Sequence, residues 1–201
     1  MKTKKTSITA SAAFVGCLLL CTTSCGGRRE TKEKAPEVPD TTLNVVLTGS
    51  TDTTLDVRLL ADSTLRTYTY SAARSARAVH GPLVAGDTLA VVEAPGHKDL
   101  RSVVNVSRLA GFWLFEGQDG NGMRLQPDGA AENVGTGDVG LRSWRMKNGQ
   151  LLITYLPADG KTLKEQTDTS ELRALNDTIL TLTLRGRAYT CRRHSGLITA
   201  P

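Results

Sequence analysis

Short apolar stretches separated by turn residues dominate the chain from Leu43 onward. Valine, leucine, isoleucine, threonine and tyrosine form the stretches, and glycine, aspartate, asparagine and proline separate them. This texture is typical of β-strands. In Thr178–Leu184 leucines alternate with threonines, so one face of that strand is apolar and the other polar. We therefore predict an all-β fold.

Residues 43–108 are predicted to form a small β-domain. An alanine-rich segment, 71–78, has helix propensity, and Gly81-Pro82 follows it. Five strands with a short helix after the third outline an OB-like barrel. The same five strands also fit an SH3-like barrel, and the polar segment also fits a loop. The predicted strands are Leu43–Thr48, Thr54–Leu60, Leu65–Tyr70, Thr88–Glu93 and Arg101–Ser107.

Residues 109–194 are predicted to form a second β-domain, in which hairpin signals are dense. Asn148-Gly149 is the strongest of them, because a type I′ turn needs positive φ at both central residues. Eight antiparallel strands with one apolar face close economically into an up-and-down barrel, which has no free edges. These strands are Gly111–Phe115, Met123–Gln126, Ala130–Val134, Leu141–Lys147, Gln150–Tyr155, Asp168–Leu175, Thr178–Leu184 and Arg187–Arg192.

The N-terminus has the pattern of a secretory signal. Lysines at residues 2–5 precede an apolar stretch, Ala10 to Cys21, which is shorter than the roughly 20 residues of a membrane span. Small residues then lead to Cys25 and Gly26-Gly27. This segment resembles the lipobox of bacterial lipoproteins, with Thr22 where leucine is usual. The resemblance implies a signal peptide over residues 1–24 and lipidation of Cys25.

Residues 25–42 follow as a predicted flexible tether, because their charges and prolines leave almost nothing to bury. Residues 195–201 are predicted to be a C-terminal tail. The tether lacks an acidic run after Cys25 of the kind that resembles a surface-export signal. We therefore expect attachment to the outer membrane through Cys25, with the protein facing the periplasm.

A set of motifs in residues 111–184 resembles a lipocalin-like domain, in the form found in bacterial cell-envelope lipoproteins. In that form a small β-domain also precedes the lipocalin-like one. The motifs are Gly111-x-Trp113, Gly122–Leu125, Asp128–Ala131, Ser143–Met146, Gly149–Ile153, Thr167–Thr169 and Leu175–Leu184.

The resemblance implies two groups of residues. The indole of Trp113, after Gly111, is expected to close one end of the barrel under a basic residue of the last strand. We name Arg192 for that role, with Arg187 and Arg193 as alternatives. Side chains that would line an apolar ligand pocket, or else form part of a filled core, are Trp144, Met146, Leu151, Ile153 and Tyr155.

The charge balance excludes one class of partner. The formal charge is +5, and it falls to +2 once residues 1–24, with three lysines and no acid, are removed. Non-specific nucleic-acid binding needs a concentrated basic surface, so we expect no nucleic-acid partner.

The sequence contains no convincing catalytic or metal-binding pattern. Gly135–Gly140 matches G-x-G-x-x-G, but a strand pattern rather than a helix follows it. His80, His97 and His194 lack metal-ligand spacing and are expected to be solvated. Cys191, the one cysteine left after processing and lipidation, is expected to be a small buried hydrophobe. We therefore expect no metal, no cofactor and no enzymatic activity.

The leading hypothesis is a lipid-anchored, non-catalytic envelope protein. Its lipocalin-like domain would bind a small apolar or amphipathic ligand, or serve as a scaffold. The alternative is an adaptor for an envelope protein or a sensor of envelope stress. In that case the first β-domain would bind the partner through Tyr68 and Tyr70.

Overall fold

Strands account for most of the backbone that the structure describes. The structure is a computed structural model that describes residues 38–96, 98–136, 139–157 and 164–195. The predicted signal peptide, Cys25, most of the predicted tether and most of the predicted C-terminal tail lie outside the described residues. In the part of the chain that is described, no helix is both long and apolar enough to cross a membrane. The first elements are β1 (Thr42–Ser50), β2 (Thr54–Leu59), β3 (Leu65–Thr69), α1 (Ser71–Ser75), β4 (Val79–His80), β5 (Thr88–Glu93), β6 (Leu100–Asn105) and α2 (Val106–Leu109).

Strands of the first half form one six-stranded sheet in the order β3-β2-β1-β5-β6-β4. Neighbouring strands are antiparallel except β4, which runs parallel to β6. A further parallel bridge joins Thr69, at the end of β3, to Asp99, just before β6. The segment β3-α1-β4 therefore follows the outer edge of β6, and the sheet curls round until its two sides meet.

Side chains inside this curled sheet form the first hydrophobic core. In β2 every second residue is buried, so Leu55, Val57 and Leu59 point inward while the residues between them face solvent. Strands β5 and β6 are different, because nearly every residue of both is buried. Their second face packs against the other half of the protein, as Ala90 and Val104 show by belonging to the second core.

The second half contains nine strands among the described residues, in two sheets. One sheet has the order β10-β11-β12 and the other β13-β14-β15-β7-β8-β9. An antiparallel bridge between Ala130 and Ser143 links β9 to β10 across the gap between the sheets. The strands are β7 (Gly111–Phe115), β8 (Gly122–Leu125), β9 (Ala131–Val134), β10 (Val139–Lys147), β11 (Gln150–Pro157), β12 (Gln166–Ser170), β13 (Leu172–Leu175), β14 (Ile179–Leu184) and β15 (Arg187–Arg193).

The strand predicted over Asp168–Leu175 is broken in two at Glu171, which is a correction to the sequence prediction. Its first part, β12, pairs with β11, and its second part, β13, pairs with β14. One continuous segment thus passes from the first sheet to the second. The meander of predicted strands is otherwise present, and the all-β, barrel-like fold class is confirmed.

The described residues belong to one compact unit that contains two hydrophobic cores. The predicted domain boundary between residues 108 and 109 stays a prediction. Polar contacts cross between the two halves: Asn148 Nδ2 donates to Pro39 O at 2.9 Å, and its backbone N–H donates to Thr42 Oγ1 at 2.7 Å. The Gly81 N–H donates to Leu175 O at 3.1 Å.

Gly149 has two reasons to be glycine. With Asn148 it forms the turn between β10 and β11, and both residues have positive φ, 53° and 81°, as the predicted type I′ turn requires. A Cβ at Gly149 would also lie 2.8 Å from Ser102 Oγ on β6. The turn is therefore part of the contact between the two halves.

We predict that Gly149→Ala destabilises the protein more than Gly186→Ala does. Gly186 is the matched control, because it has φ of 74° in the turn between β14 and β15 and open space around its Cβ position. Holding alanine in the left-handed conformation, which glycine adopts freely, costs each variant about 1 kcal/mol. The clash with Ser102 adds to that cost only in Gly149→Ala. Urea unfolding measures both values, and equal losses would contradict the proposed contact.

Candidate functional site

One end of the barrel is closed by an indole and a guanidinium. Trp113 on β7 is fully buried, and its Nε1 donates to Leu109 O of α2 at 2.9 Å. Above its ring lies Arg193, with Cζ 4.2 Å from the ring centroid. A cation over an indole contributes about 0.5–2 kcal/mol. The pair joins the last strand, β15, to the first strand of the barrel, β7. The register between these two strands places Arg193 opposite Trp113.

Arg193 is also a hydrogen-bond hub for backbone carbonyls at this end. Its Nε donates to Asp177 O at 2.9 Å, its Nη1 donates to Ala110 O at 3.1 Å, and its Nη2 donates to Arg108 O. Burial lowers the pKa of Arg193, and the nearby Arg108 acts in the same direction while Asp177 opposes it. The guanidinium therefore donates to backbone carbonyls of two segments, one just before β7 and one between β13 and β14.

The sequence prediction named Arg192 for this role, and the structure places Arg193 there instead. Side chains alternate along β15, so the buried Cys191 and the half-buried Arg193 share the inner face while Arg192 faces solvent. Arg192 forms an ion pair with Glu116 at 2.9 Å. Gly111 does belong to the closed end, because a Cβ there would collide with Arg193 Nη1.

The residues predicted to line a ligand pocket all lie in the second hydrophobic core. Trp144, Met146, Ile153 and Tyr155 are at most 8 % exposed. The indole of Trp144 donates to Gln126 O at 2.9 Å, so its polar atom is satisfied within the protein. These side chains fill the interior between the sheets, and their ligand-binding role stays a prediction.

A small cavity lies at the opposite end of the barrel, which we call the mouth. Its volume is about 100 Å³. The turns β7–β8 and β14–β15 and the start of the β9–β10 connection surround it. The lining residues are Phe115, Gln118, Asn121, Gly122, Asn133, Val134, Thr136, Leu141, Leu184, Arg185 and Tyr189.

The described lining of the mouth combines aromatic walls with the cation of Arg185. The rings of Phe115 and Tyr189 lie 4.9 Å apart, and Arg185 Cζ lies 5.4 Å from the Tyr155 ring centroid. Arg185 has φ of 51°, and its N–H donates to Asp168 Oδ2 at 2.5 Å, which fixes the turn. Pockets that enclose a drug-sized ligand measure about 300–1,000 Å³. The described mouth is smaller than this range, so it has room for one end of a small ligand and not for a whole drug-sized molecule.

Sequence reasoning did not single out the mouth residues. Tyr189 and Asn133 carried no signal in the sequence. The mouth residues share only their position at one end of the barrel. Strands that are distant in sequence set that position through their register, so no local pattern indicates it. Asn133 Oδ1 accepts from the Leu141 N–H at 2.6 Å and so helps to join β9 to β10.

Tyr68 and Tyr70, predicted as anchors for a protein partner, are buried in the first core at 2 % and 5 % exposure. Their hydroxyls are also engaged, by Glu93 Oε1 at 2.6 Å and by Thr51 O at 2.9 Å. The two side chains that the adaptor hypothesis named as partner contacts are therefore not exposed for such a contact. Thr69 between them is exposed, so the two tyrosines share the inner face of this extended segment.

The chemically versatile residues are scattered. Burial raises the pKa of the Cys191 thiol to about 12, so it is protonated at neutral pH. His194 is exposed with its ring edge against Phe112, and His97 lies outside the described residues. His80 is half-buried, and burial lowers its pKa, so the expectation that it is solvated was wrong. No group of three potential metal ligands occurs within the described ranges.

We predict that Arg193→Met lowers the free energy of unfolding by about 2–3 kcal/mol, since it leaves several inward carbonyls unpaired and removes the cation over Trp113. Arg192→Met is the control, from the neighbouring position with the same change of charge. Its exposed ion pair contributes less than about 1 kcal/mol. Thermal or urea unfolding measures both variants. Equal effects would show that Arg193 does not close the barrel.

Comparison with known proteins supports the assignment of the second half. The model of the lipocalin-like family matches residues 107–193. A solved structure of a lipocalin-like protein from Bacteroides thetaiotaomicron VPI-5482 is 22 % identical to this chain. That alignment covers 43 % of this chain and 97 % of the other, with a TM-score of 0.38. No curated protein matches the chain. Residues 107–193 thus form a lipocalin-like domain.

Proposed function

We propose that this protein is a non-catalytic binding protein whose lipocalin-like domain holds one end of a small amphipathic ligand at the mouth. The cavity beside Phe115, Tyr189 and Arg185 is the observation that carries the proposal. Aromatic and aliphatic walls favour an apolar group, and Arg185 at the rim favours a polar or anionic group on the same molecule. The filled interior beyond the mouth leaves the rest of the ligand outside the barrel.

We also propose that the protein is anchored by lipid to the outer membrane and faces the periplasm. The support is the sequence of residues 1–25, whose apolar stretch ends in small residues before Cys25. A thioether diacylglyceryl group with an amide-linked acyl chain anchors stably, whereas one chain anchors only marginally. The charged and proline-containing residues after Cys25 would then hold the folded part away from the bilayer.

The first half is proposed to be an OB-like domain. A sheet order β3-β2-β1-β5-β6, a helix after the third strand and a parallel bridge between β3 and the start of β6 support this assignment. Its role in the present proposal is structural, because β5 and β6 contribute to the second core.

Binding at the mouth predicts a specific blocking variant. Thr136 lies exposed beside the cavity, so Thr136→Trp would cover it without disturbing a buried side chain. We expect a fluorescent fatty acid, 11-(dansylamino)undecanoic acid, to bind the full chain saturably. We expect the variant to bind it at least about fivefold more weakly. Leu65→Trp is the control, because Leu65 is 70 % exposed and lies in the other half.

The outcomes of that titration separate the alternatives. Weakened binding in Thr136→Trp but not in Leu65→Trp supports the mouth. Equal binding by all three proteins, or none by the wild type, would overturn the proposal of a ligand at this end.

Lipidation predicts incorporation of labelled palmitate in bacterial cells. The wild-type chain is expected to carry the label and to fractionate with the outer membrane, and Cys25→Ala is expected to lose both properties. Cys191→Ala is the control, since the buried thiol of Cys191 is inaccessible to acylation. Equal labelling of Cys25→Ala would contradict the anchor.

A further inference from the structure

A second concave site lies where the two halves of the protein meet, well away from the mouth. The segment that runs from the end of β3 through α1 to β4 forms one wall, and β13 forms the other. We call this site the basic groove, and its volume is about 510 Å³. The lining residues are Tyr70, Arg74, Arg77, Val79, His80, Gly81, Leu83, Arg173, Ala174 and Leu175.

The charged side chains that line the basic groove are all cationic. Arg74, Arg77 and Arg173 contribute guanidinium groups, and among the described residues no carboxylate belongs to the lining. Burial lowers the pKa of His80, so His80 contributes an uncharged imidazole at neutral pH. A groove with several positive charges and no acid attracts anions, and its concave walls strengthen that attraction.

The arginines differ in what already engages them. Arg173 forms an ion pair with Glu171 Oε2 at 3.2 Å, which neutralises part of its charge. Arg74 donates to a backbone carbonyl, Asp52 O, and lies 5.7 Å from the Tyr70 ring centroid, so its charge is not neutralised by an acid. No described residue pairs with the side chain of Arg77. Two guanidinium groups on one wall are therefore available to an anion.

Asp99 is an acidic residue beside α1, and its carboxylate is also engaged. Asp99 Oδ2 accepts hydrogen bonds from Ser71 Oγ and from the Ala72 N–H, both at 3.2 Å. It lies at the start of α1, whereas Arg74 and Arg77 lie in its last turn and just beyond it. The carboxylate thus stabilises the start of the helix and does not line the groove.

The floor of the basic groove is apolar and held rigidly. Leu175 and Tyr70 are buried, and Val79 and Leu83 are half-buried. The Gly81 N–H donates to Leu175 O across the floor, and Gly81 has φ of 92°. A Cβ at Gly81 would lie 3.3 Å from Leu175 Cδ2 on the other wall, as well as 2.7 Å from Asn105 Cβ on its own side. Gly81 therefore lets the two walls approach closely at the floor.

We propose that the basic groove binds a small organic anion, in which a phosphate or carboxylate group is attached to an apolar or aromatic body. Arg74 and Arg77 bind the anionic group, and the floor formed by Tyr70, Leu83 and Leu175 contacts the body. The volume lies within the range of pockets that enclose small molecules.

Phenyl phosphate is the probe for this proposal, because it joins a dianion to one aromatic ring. Titration calorimetry on the full chain is expected to show saturable binding of phenyl phosphate and none of phenol, its neutral analogue. Arg77→Gln is expected to weaken the binding at least about tenfold, since it removes a charge-assisted hydrogen bond. Arg142→Gln is the control, with the same substitution at an exposed residue of β10 outside the groove.

Nuclear magnetic resonance locates the probe independently of the variants. The backbone amides of Arg77, Gly81 and Ala174 are expected to shift on addition of phenyl phosphate, while those of Thr136 and Tyr189 at the mouth stay in place. Thermal unfolding checks that Arg77→Gln folds as the wild type does; if it does not, Arg74→Gln takes its place.

Three results would overturn the proposal. The first is equal weakening by Arg142→Gln, which would indicate only a general effect of net charge. The second is a set of shifts confined to the mouth. The third is binding to vesicles that contain phosphatidylglycerol, lost in Arg77→Gln, together with no binding of phenyl phosphate, which would show that the arginines serve a membrane surface.

Discussion

The closure of the second half depends on the contacts that the guanidinium of Arg193 makes between the last strand and the first. A meander of strands becomes barrel-like only if its last strand reaches its first, and β15 pairs with β7 over three residues of each strand, with further backbone hydrogen bonds at both ends of that pairing. Arg193 strengthens that short seam by covering Trp113 and by bonding to carbonyls before β7 and after β13. Trp113 in turn donates to α2, so the seam is also tied to the helix that precedes the barrel.

The same helix connects the two halves of the protein. Asn105 caps α2 by accepting from the Arg108 N–H at 2.9 Å, and its amide donates to Pro82 O and to Asp87. The ion pair of Arg108 with Asp87 at 3.0 Å reinforces this junction. Because β5 and β6 are buried on both faces, the junction is held by apolar packing as well. The groove lies beside this junction, because Gly81 and Leu83 of its lining flank Pro82.

Ligand binding is consequently placed at the edges of the molecule rather than in its centre. Trp144 and Ile153, the expected pocket residues, pack into a continuous core, which leaves a small cavity at the mouth and a larger groove at the junction. The two sites differ in chemistry. The mouth has aromatic walls with one arginine, whereas the groove has three arginines over an apolar floor.

Local patterns in the chain were enough to determine the strands and their turns. Asn148-Gly149 adopts the positive φ values that such a pair favours, and the leucines of β14 are buried where alternation places them. Register between distant strands, by contrast, decided that Arg193 rather than Arg192 covers Trp113, and packing decided that Tyr68 and Tyr70 are buried. The basic groove is likewise a product of tertiary structure, because Arg77 and Arg173 are far apart in sequence and meet only when the two halves fold together.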